Sequence, residues 1–439
     1  MGQKNKGGAK GGGDVAALPT PSVKFNPKDM TDPFELLDMC VAALHDKLAS
    51  PATREAAMAS LVGALEGVVP LDETTDGRCL VIFAIRGASI KKAGTSSAPA
   101  ATREARLAYR AVDLLAFTLR KGGATEIMDE SFPMLSRALQ VQASQNEEPM
   151  LIAAFDCLAA VTFAGALGTE EAERPLKAIW GVIFPEDFYS SLFSSSSSSL
   201  RSPKISTKTS PLVVAATVSA WTFLVTTVTD SQRKADRAAW NATIASLASL
   251  LEADDRAVRM ATGEALAVCV ELNLTQHLPR KDMEALQARV SDLAAEAGGK
   301  GAVKTLLPEQ KDLFRQIAAF MERGERPKKS VRTSSDRRES IKVSTWAKLV
   351  QLNFLSRFLG NGFLSHIKGN KLFKESFTIG ADDRKMLSIA KKKVESKTRQ
   401  KSMKMNREMA WETKNIFLLP QGRAPDSTKP EQMLQLGWH

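Results

Sequence analysis

From residue 33 onward the chain alternates runs of apolar and small residues, spaced for helices, with short polar breaks. The spacing predicts helices over 33–49, 51–67, 76–91, 101–121, 124–142, 148–167, 170–184, 211–229, 232–251, 254–273, 280–297 and 308–323, with no strand-like alternation between them. Their ends carry the residues that start and stop helices: Asp32-Pro33 and Ser50-Pro51 at starts, and Gly122-Gly123, Gly168-Thr169 and Leu278-Pro279 at breaks. Three segments share one texture, in which Ala and Gly leave room for close crossings and Leu or Val fills the ridges: REARLAYRAVDLLAFTL (103–119), EPMLIAAFDCLAAVTFAGAL (148–167) and DRAVRMATGEALAVCVEL (255–272). The first two begin 45 residues apart, the period of an armadillo or HEAT unit. The expected fold is therefore all-α: an armadillo/HEAT-like helical repeat solenoid over 31–323, then a small helical C-terminal domain and a basic helical arm.

Composition marks the interruptions. Residues 1–30, rich in Gly, Lys and Pro, read as a disordered leader, and FSSSSSSLRSPKISTKTS (193–210) as a flexible, phosphorylatable loop. Residues 324–343 (GERPKKSVRTSSDRRESIKV) read as an exposed basic linker. The small domain follows at 344–380, the arm at 381–410 and a flexible tail at 411–439. In the small domain Trp346, Leu349, Val350, Phe354, Phe358 and Leu359 keep helical spacing up to a Gly360-Asn361-Gly362 corner. Leu212 to Thr229 is uncharged for long enough to span a membrane, but five Thr, one Ser and Pro211 at its start favour a buried inner helix.

Charge is unevenly spread. Residues 321–439 hold 26 Lys and Arg against 12 Asp and Glu, a net of +14, whereas the first 320 residues hold 34 against 37, a net of −3. A polyanion would meet the carboxy-terminal part. Cys40, Cys79, Cys157 and Cys269 are far apart and each sits in an apolar run, and His45, His277, His366 and His439 form no cluster with them. This pattern predicts small core thiols, no metal site and a reducing nuclear or cytoplasmic setting. The amino terminus lacks the apolar run of a secretory signal.

The densest candidate site is 384–407, where Arg384, Lys385, Lys391, Lys392, Lys393, Lys397, Arg399, Lys401, Lys404 and Arg407 face a single acid, Glu395. Such a run binds phosphate through counterion release without reading sequence. The same residues also suit a solvated tail or a nuclear import signal, to which Lys328-Lys329 and Arg337-Arg338 would add. Asp255, Arg259 and Glu264 could line a groove or tie one repeat to the next, Asp254 or Asp255 as a cap and Arg259 reaching neighbouring carbonyls. The glycine clusters at 7–8, 11–13 and 298–301 follow no strand and lack a GK[ST] ending, so they are spacers and not phosphate loops. No Ser-His-acid order or framed carboxylate pair points to catalysis, and no cofactor or small-molecule substrate is implied.

Three stretches carry a family resemblance: VRMATGEALAVCVEL (258–272), LIAAFDCLAAVTFAGA (151–166) and above all WAKLVQLNFLSRFLGNGFLSHIKGNKLFKESF (346–377). Together they resemble the interferon-related developmental regulator family, with residues 30–320 as its armadillo-like domain and 340–405 as its short carboxy-terminal domain. The resemblance implies a regulator of gene expression in differentiation and stress. It would be a transcriptional co-regulator associated with histone deacetylase co-repressor complexes, using the concave face of the array for a peptide or helix. The family's link to translationally inactive ribosomes implies the alternative, in which the basic arm binds ribosomal RNA. Neither reading involves a membrane.

Overall fold

The computed structural model describes residues 32–46, 48–67, 99–119, 121–145, 147–166, 169–184, 209–228, 237–296, 307–332 and 340–377. Helices form where caps and apolar spacing call for them. They are α1 (Pro33–His45), α2 (Pro51–Glu66), α3 (Pro99–Thr118), α4 (Lys121–Gln145), α5 (Glu148–Gly165), α6 (Thr169–Ile183), α7 (Pro211–Val225), α8 (Arg237–Leu250), α9 (Arg256–Glu271), α10 (Arg280–Ala295) and α11 (Leu307–Arg323). A hairpin of β1 (Lys329–Arg332) and β2 (Ser340–Val343) follows, then α12 (Trp346–Leu359), a 3₁₀ turn at Gly360–Gly362, α13 (Phe363–Gly369) and α14 (Lys371–Ser376).

Side chains begin several of these helices. Ser50 Oγ accepts the Thr53 amide at 3.1 Å, Ser210 Oγ the Val213 amide at 3.4 Å and Asp255 Oδ1 the Val258 amide at 3.0 Å. One break differs from the expected position. Gly122-Gly123 lies in the first turn of α4 rather than between helices. The first-turn amides have no intrahelical partner in any case, so glycine weakens a helix least there. The helix expected at 76–91, the leader, the Ser-rich loop up to residue 208, the arm and the tail lie outside the described residues.

The helices pack as successive layers, the organisation of an all-α helical repeat. An inner row, α2, α3, α5, α7, α9 and α11, has each helix against the next, while α1, α4, α6, α8 and α10 pack on its other side. The two most apolar members, α5 and α7, sit in the middle of this row. Helices apolar all round are stable only when covered all round. Among the described residues α5 alone is long and apolar enough to cross a membrane, and 67% of it is buried inside the protein. The stretch at 212–229 forms α7, a 15-residue core helix. Its threonines bury their hydroxyls by bonding backward: Thr217 Oγ1 donates to the Val213 carbonyl at 2.8 Å and Thr222 Oγ1 to Val218 at 2.6 Å. Thr162 in α5 and Thr262 in α9 do the same.

Residues 324–343 are not an open linker throughout. β1 and β2 pair antiparallel with Val331 opposite Ile341 and Lys329 opposite Val343. Ile341 is fully buried and Val343 nearly so. With four residues per strand, the alternation is too brief to stand out from the surrounding basic and hydroxyl residues. The segment expected as a separate small domain, from residue 344, belongs to the same compact unit as the array.

Close crossing depends on small residues, and α4 against α5 is the tightest test. A Cβ on Gly165 would stand 2.5 Å from the Ala124 carbonyl oxygen and 2.9 Å from Met128 Cβ. Gly165→Ala should therefore force the helices apart and lower stability by about 1–3 kcal/mol, read as a shift in the denaturant midpoint at unchanged slope.

Candidate functional site

Of the sequence-derived candidates, the structure places Asp255, Arg259 and Glu264. The ten basic residues from Arg384 to Arg407 lie outside the described residues. Asp255 caps α9. Arg259 is buried and ties layers together: Nη1 donates to the Ala253 and Asp254 carbonyls at 2.7 and 2.9 Å, and Nη2 to Gln310 of α11 at 2.9 Å and Glu296 at 3.4 Å. Glu264 accepts from Asn353 Nδ2 at 3.4 Å, and Asn353 Oδ1 accepts from Lys329 Nζ at 2.7 Å. These three residues join the chain to itself, which is their tying role rather than a groove.

The larger finding is what covers the inner row. Residues 345–377 form a strap that crosses it from α11 to α2, the reverse of chain order. At its start Thr345 caps α12, and the Glu271 carboxylate accepts the Trp346 and Ala347 amides at 2.8 and 2.7 Å. An anion at a helix amino terminus is favoured by the helix dipole. Trp346 is fully buried, its ring centroid 6.0 Å from that of Phe320 in α11.

Midway, Gln351 Nε2 donates to Thr226 Oγ1 at 2.9 Å just past α7. Phe354 lies flat on Phe223 of α7, with centroids 3.9 Å apart and planes 9° apart. Arg357 grips Asp156 of α5 with two bonds of 2.8 and 2.9 Å. Phe358 meets Phe117 of α3 edge-on at 5.8 Å, while the Arg110 guanidinium stacks 4.3 Å above its ring.

At its end the strap reaches α2. Gly362 approaches so closely that a Cβ would stand 2.9 Å from the Glu66 carbonyl oxygen. Asn370 Nδ2 donates to the Phe117 carbonyl, and Phe373 packs edge-on against the Phe117 ring. The chain's own aromatic segment thus covers this face of the inner row, where a foreign peptide or helix would otherwise lie. Sequence reading found the aromatic spacing but missed its target. Only a contact such as Asn370 to Phe117, 253 residues apart, reveals it.

His366 sits fully buried at the α2 end of the strap beside Phe373. Burial pushes its pKa down to about 4, the Leu65 backbone opposing the shift and Arg110 adding to it. Burial also pushes Glu264 up to about 6, against the opposing effects of Asn353 and Lys329. Cys40 and Cys269 are buried thiols, each pushed up to about 12, which makes them inert core residues. Among the described residues no group of three or more His, Cys, Asp or Glu could hold a metal ion.

The family model described as interferon-related developmental regulator matches residues 17–322. The match covers the small-residue motifs at 151–166 and 258–272 and ends before the aromatic segment at 346–377. Interferon-related developmental regulator 1 of Sus scrofa is 29% identical over 163 residues, 37% of this chain and 35% of that protein. Interferon-related developmental regulator 2 of Mus musculus is 30% identical over 136 residues, 30% of each chain. The matched stretch therefore spans about a third of the length of these relatives.

If the strap is core, its aromatic anchor should outweigh its ion pair. Phe354→Ala should cost about 3–5 kcal/mol in denaturant unfolding, and Arg357→Ala, half exposed, only about 0.5–1 kcal/mol. Equal effects would mean that the strap is held by its rim. The His366 pKa sets an acid limit. A depressed folded-state value means stability is present above about 6.5 and is lost as pH falls through about 4, a loss on the order of 3 kcal/mol. Glu264, raised in the fold, works in the opposite sense over part of that window. The measurement is therefore the difference between wild-type and His366→Phe unfolding curves from pH 6.5 to 4. It should narrow steadily in favour of the variant as pH falls.

Proposed function

Because the chain belongs to the interferon-related developmental regulator family, we propose that it is a non-enzymatic helical-repeat scaffold that regulates gene expression as a transcriptional co-regulator, through protein–protein contacts in the nucleus and cytoplasm. The observation that carries this reading is the closed inner row. Among the described residues, His366, Tyr109, Cys40 and Cys269, whose pKa values are displaced by burial, sit within the packed core, and Glu264 lies under Asn353 of the strap. What the described residues leave available for contact is outer surface, which suits binding. The relatives are named as regulators, in keeping with this. With the inner row occupied, a partner such as a histone deacetylase co-repressor complex would dock on the second row of helices or on the outward side of the strap.

A second reading is favoured by one observation, the net +14 of residues 321–439 against −3 for the rest. In it the run from Arg384 to Arg407 binds the phosphates of ribosomal RNA in translationally inactive ribosomes.

One comparison separates the two. Tagged full-length chain and a Lys391→Glu, Lys392→Glu, Lys393→Glu variant are purified from cells for deacetylase subunits and sedimented through sucrose gradients at low and moderate salt. The co-regulator reading expects equal deacetylase recovery with both proteins. If only the intact chain travels with ribosomes, with the variant reduced about tenfold or more, and no deacetylase is recovered, the ribosomal reading replaces it.

A further inference from the structure

The hairpin has two unlike faces. Val331, Ile341 and Val343 turn inward, Ile341 and Val343 being buried, while Ser330, Arg332 and Lys342 are exposed. Its register sets Ser330 directly across from Lys342 and Ser340 across from Arg332. Directly opposed Cβ atoms in such a ladder stand about 4.5–5.5 Å apart, within reach of any long side chain. Ser330 thus has Lys342 opposite it, Arg332 two residues on along the same face, and exposed Lys328 two residues before. The hydroxyl itself has no need of three cations, but a dianion in its place would.

We propose that Ser330 is a phosphorylation site, and that Lys328, Arg332 and Lys342 form a ready-made cage for its phosphate. Transfer of the γ-phosphoryl group of ATP by a basophilic protein kinase forms the Oγ–P bond of Ser330 and breaks the bond to the ADP oxygen. The hydroxyl proton leaves to the kinase's catalytic base. The local sequence Arg326-Pro-Lys-Lys-Ser330-Val-Arg332 carries the basic residues that acidic kinase subsites select. Ser330 is exposed, and a two-stranded ladder of four residues per strand opens readily enough to present an extended peptide.

Once formed, the phosphate adds roughly −1.5 to −2 charges and three acceptor oxygens, and charge-assisted bonds to Arg332 and Lys342 link the two strands. Because Lys329, next to Ser330, is bonded to Asn353 of α12, a stapled hairpin holds the start of the strap more firmly on α9. Modification here would tighten the fold and neutralise a cationic patch at once. Ser340 is a built-in comparison: it has the same kind of partner, Arg332, but is only part-exposed, and its neighbour Ile341 would have to leave the core to enter a kinase cleft.

The test has two arms, both on the full chain. In the first, the protein is incubated with ATP, magnesium and the catalytic subunit of cyclic-AMP-dependent protein kinase, and phosphopeptides are mapped by mass spectrometry. Phosphate at Ser330 ahead of Ser340, lost in Ser330→Ala, is expected; phosphate on other serines with Ser330 untouched overturns the assignment. In the second, phosphoserine is encoded directly at position 330 and amide hydrogen exchange is followed in β1 and β2. Exchange should slow by about fivefold, a change in line with one or two solvent-exposed charged pairs, and Arg332→Gln with Lys342→Gln should abolish the effect. Unchanged or faster exchange in the phosphoserine protein would remove the cage.

Discussion

Phe354 stacked on Phe223 is the contact on which the rest of this structure depends. It lies near the middle of a strap whose other aromatic residues, Trp346, Phe358, Phe373 and Phe377, carry the same packing outward to both ends of the inner row. Helices in a repeat normally bury themselves only against neighbours, so the face turned away from the second row stays wet. Here α5 and α7 have apolar residues on that face too, and they are stable only because the chain returns to cover them. With Trp346, Phe354 and Phe373 buried, the strap is part of the core. A removable lid would be held by its polar rim, whereas Arg357 with Asp156 is the part of this contact that solvent still reaches.

The polar contacts at the strap therefore serve position more than stability. Glu271 fixes where α12 begins, Gln351 fixes its rotation against α7, and Gly362 allows the chain to come up against the end of α2. Each removes an alternative register in which the aromatic residues would miss their seats. Arg259 does the same for α9 and α11, satisfying carbonyls at the end of one layer while reaching Gln310 in the next. Apolar burial supplies the driving force, and a few directional bonds select one arrangement.

Much of the array was legible in the sequence because its cues are local. Ser50-Pro51, Pro211 and the Asp254-Asp255 pair announce helix starts, the Ala-rich runs at 148–167 and 255–272 announce closely crossing helices, and the uncharged run from 212 announces a buried inner helix; helices appear at those places. What was hidden depends on distance or brevity. The spacing of Trp346, Phe354 and Phe358 identifies an amphipathic helix but holds no information about what its apolar side will meet. The four-residue strands of the hairpin each offer too few alternations to register against a basic background. Gly122-Gly123 reads as punctuation, since nothing in the pair says whether it closes one helix or opens another. As for the candidate site, the sequence left Asp254 and Asp255 as alternative caps and Arg259 between a groove and a tie to neighbouring carbonyls, and the structure selects Asp255 and the tie, while the basic run from Arg384 lies beyond the described residues and keeps its charge-based reading.

The strap also redirects the functional argument. In an array with an open inner row, the groove is the first place to seek a partner, because stacked layers expose a continuous apolar track. Once the track is filled by the chain's own aromatic residues, a foreign helix would have to displace several buried rings at once. Its own apolar contacts could only repay what that displacement costs. What the described residues leave exposed on the outward side of the strap and hairpin is charge, at Arg332, Lys342 and Lys368. Arg332, Lys342 and Lys368 are charged and exposed, so their contacts can change with ionic strength or phosphorylation while the helices beneath stay packed.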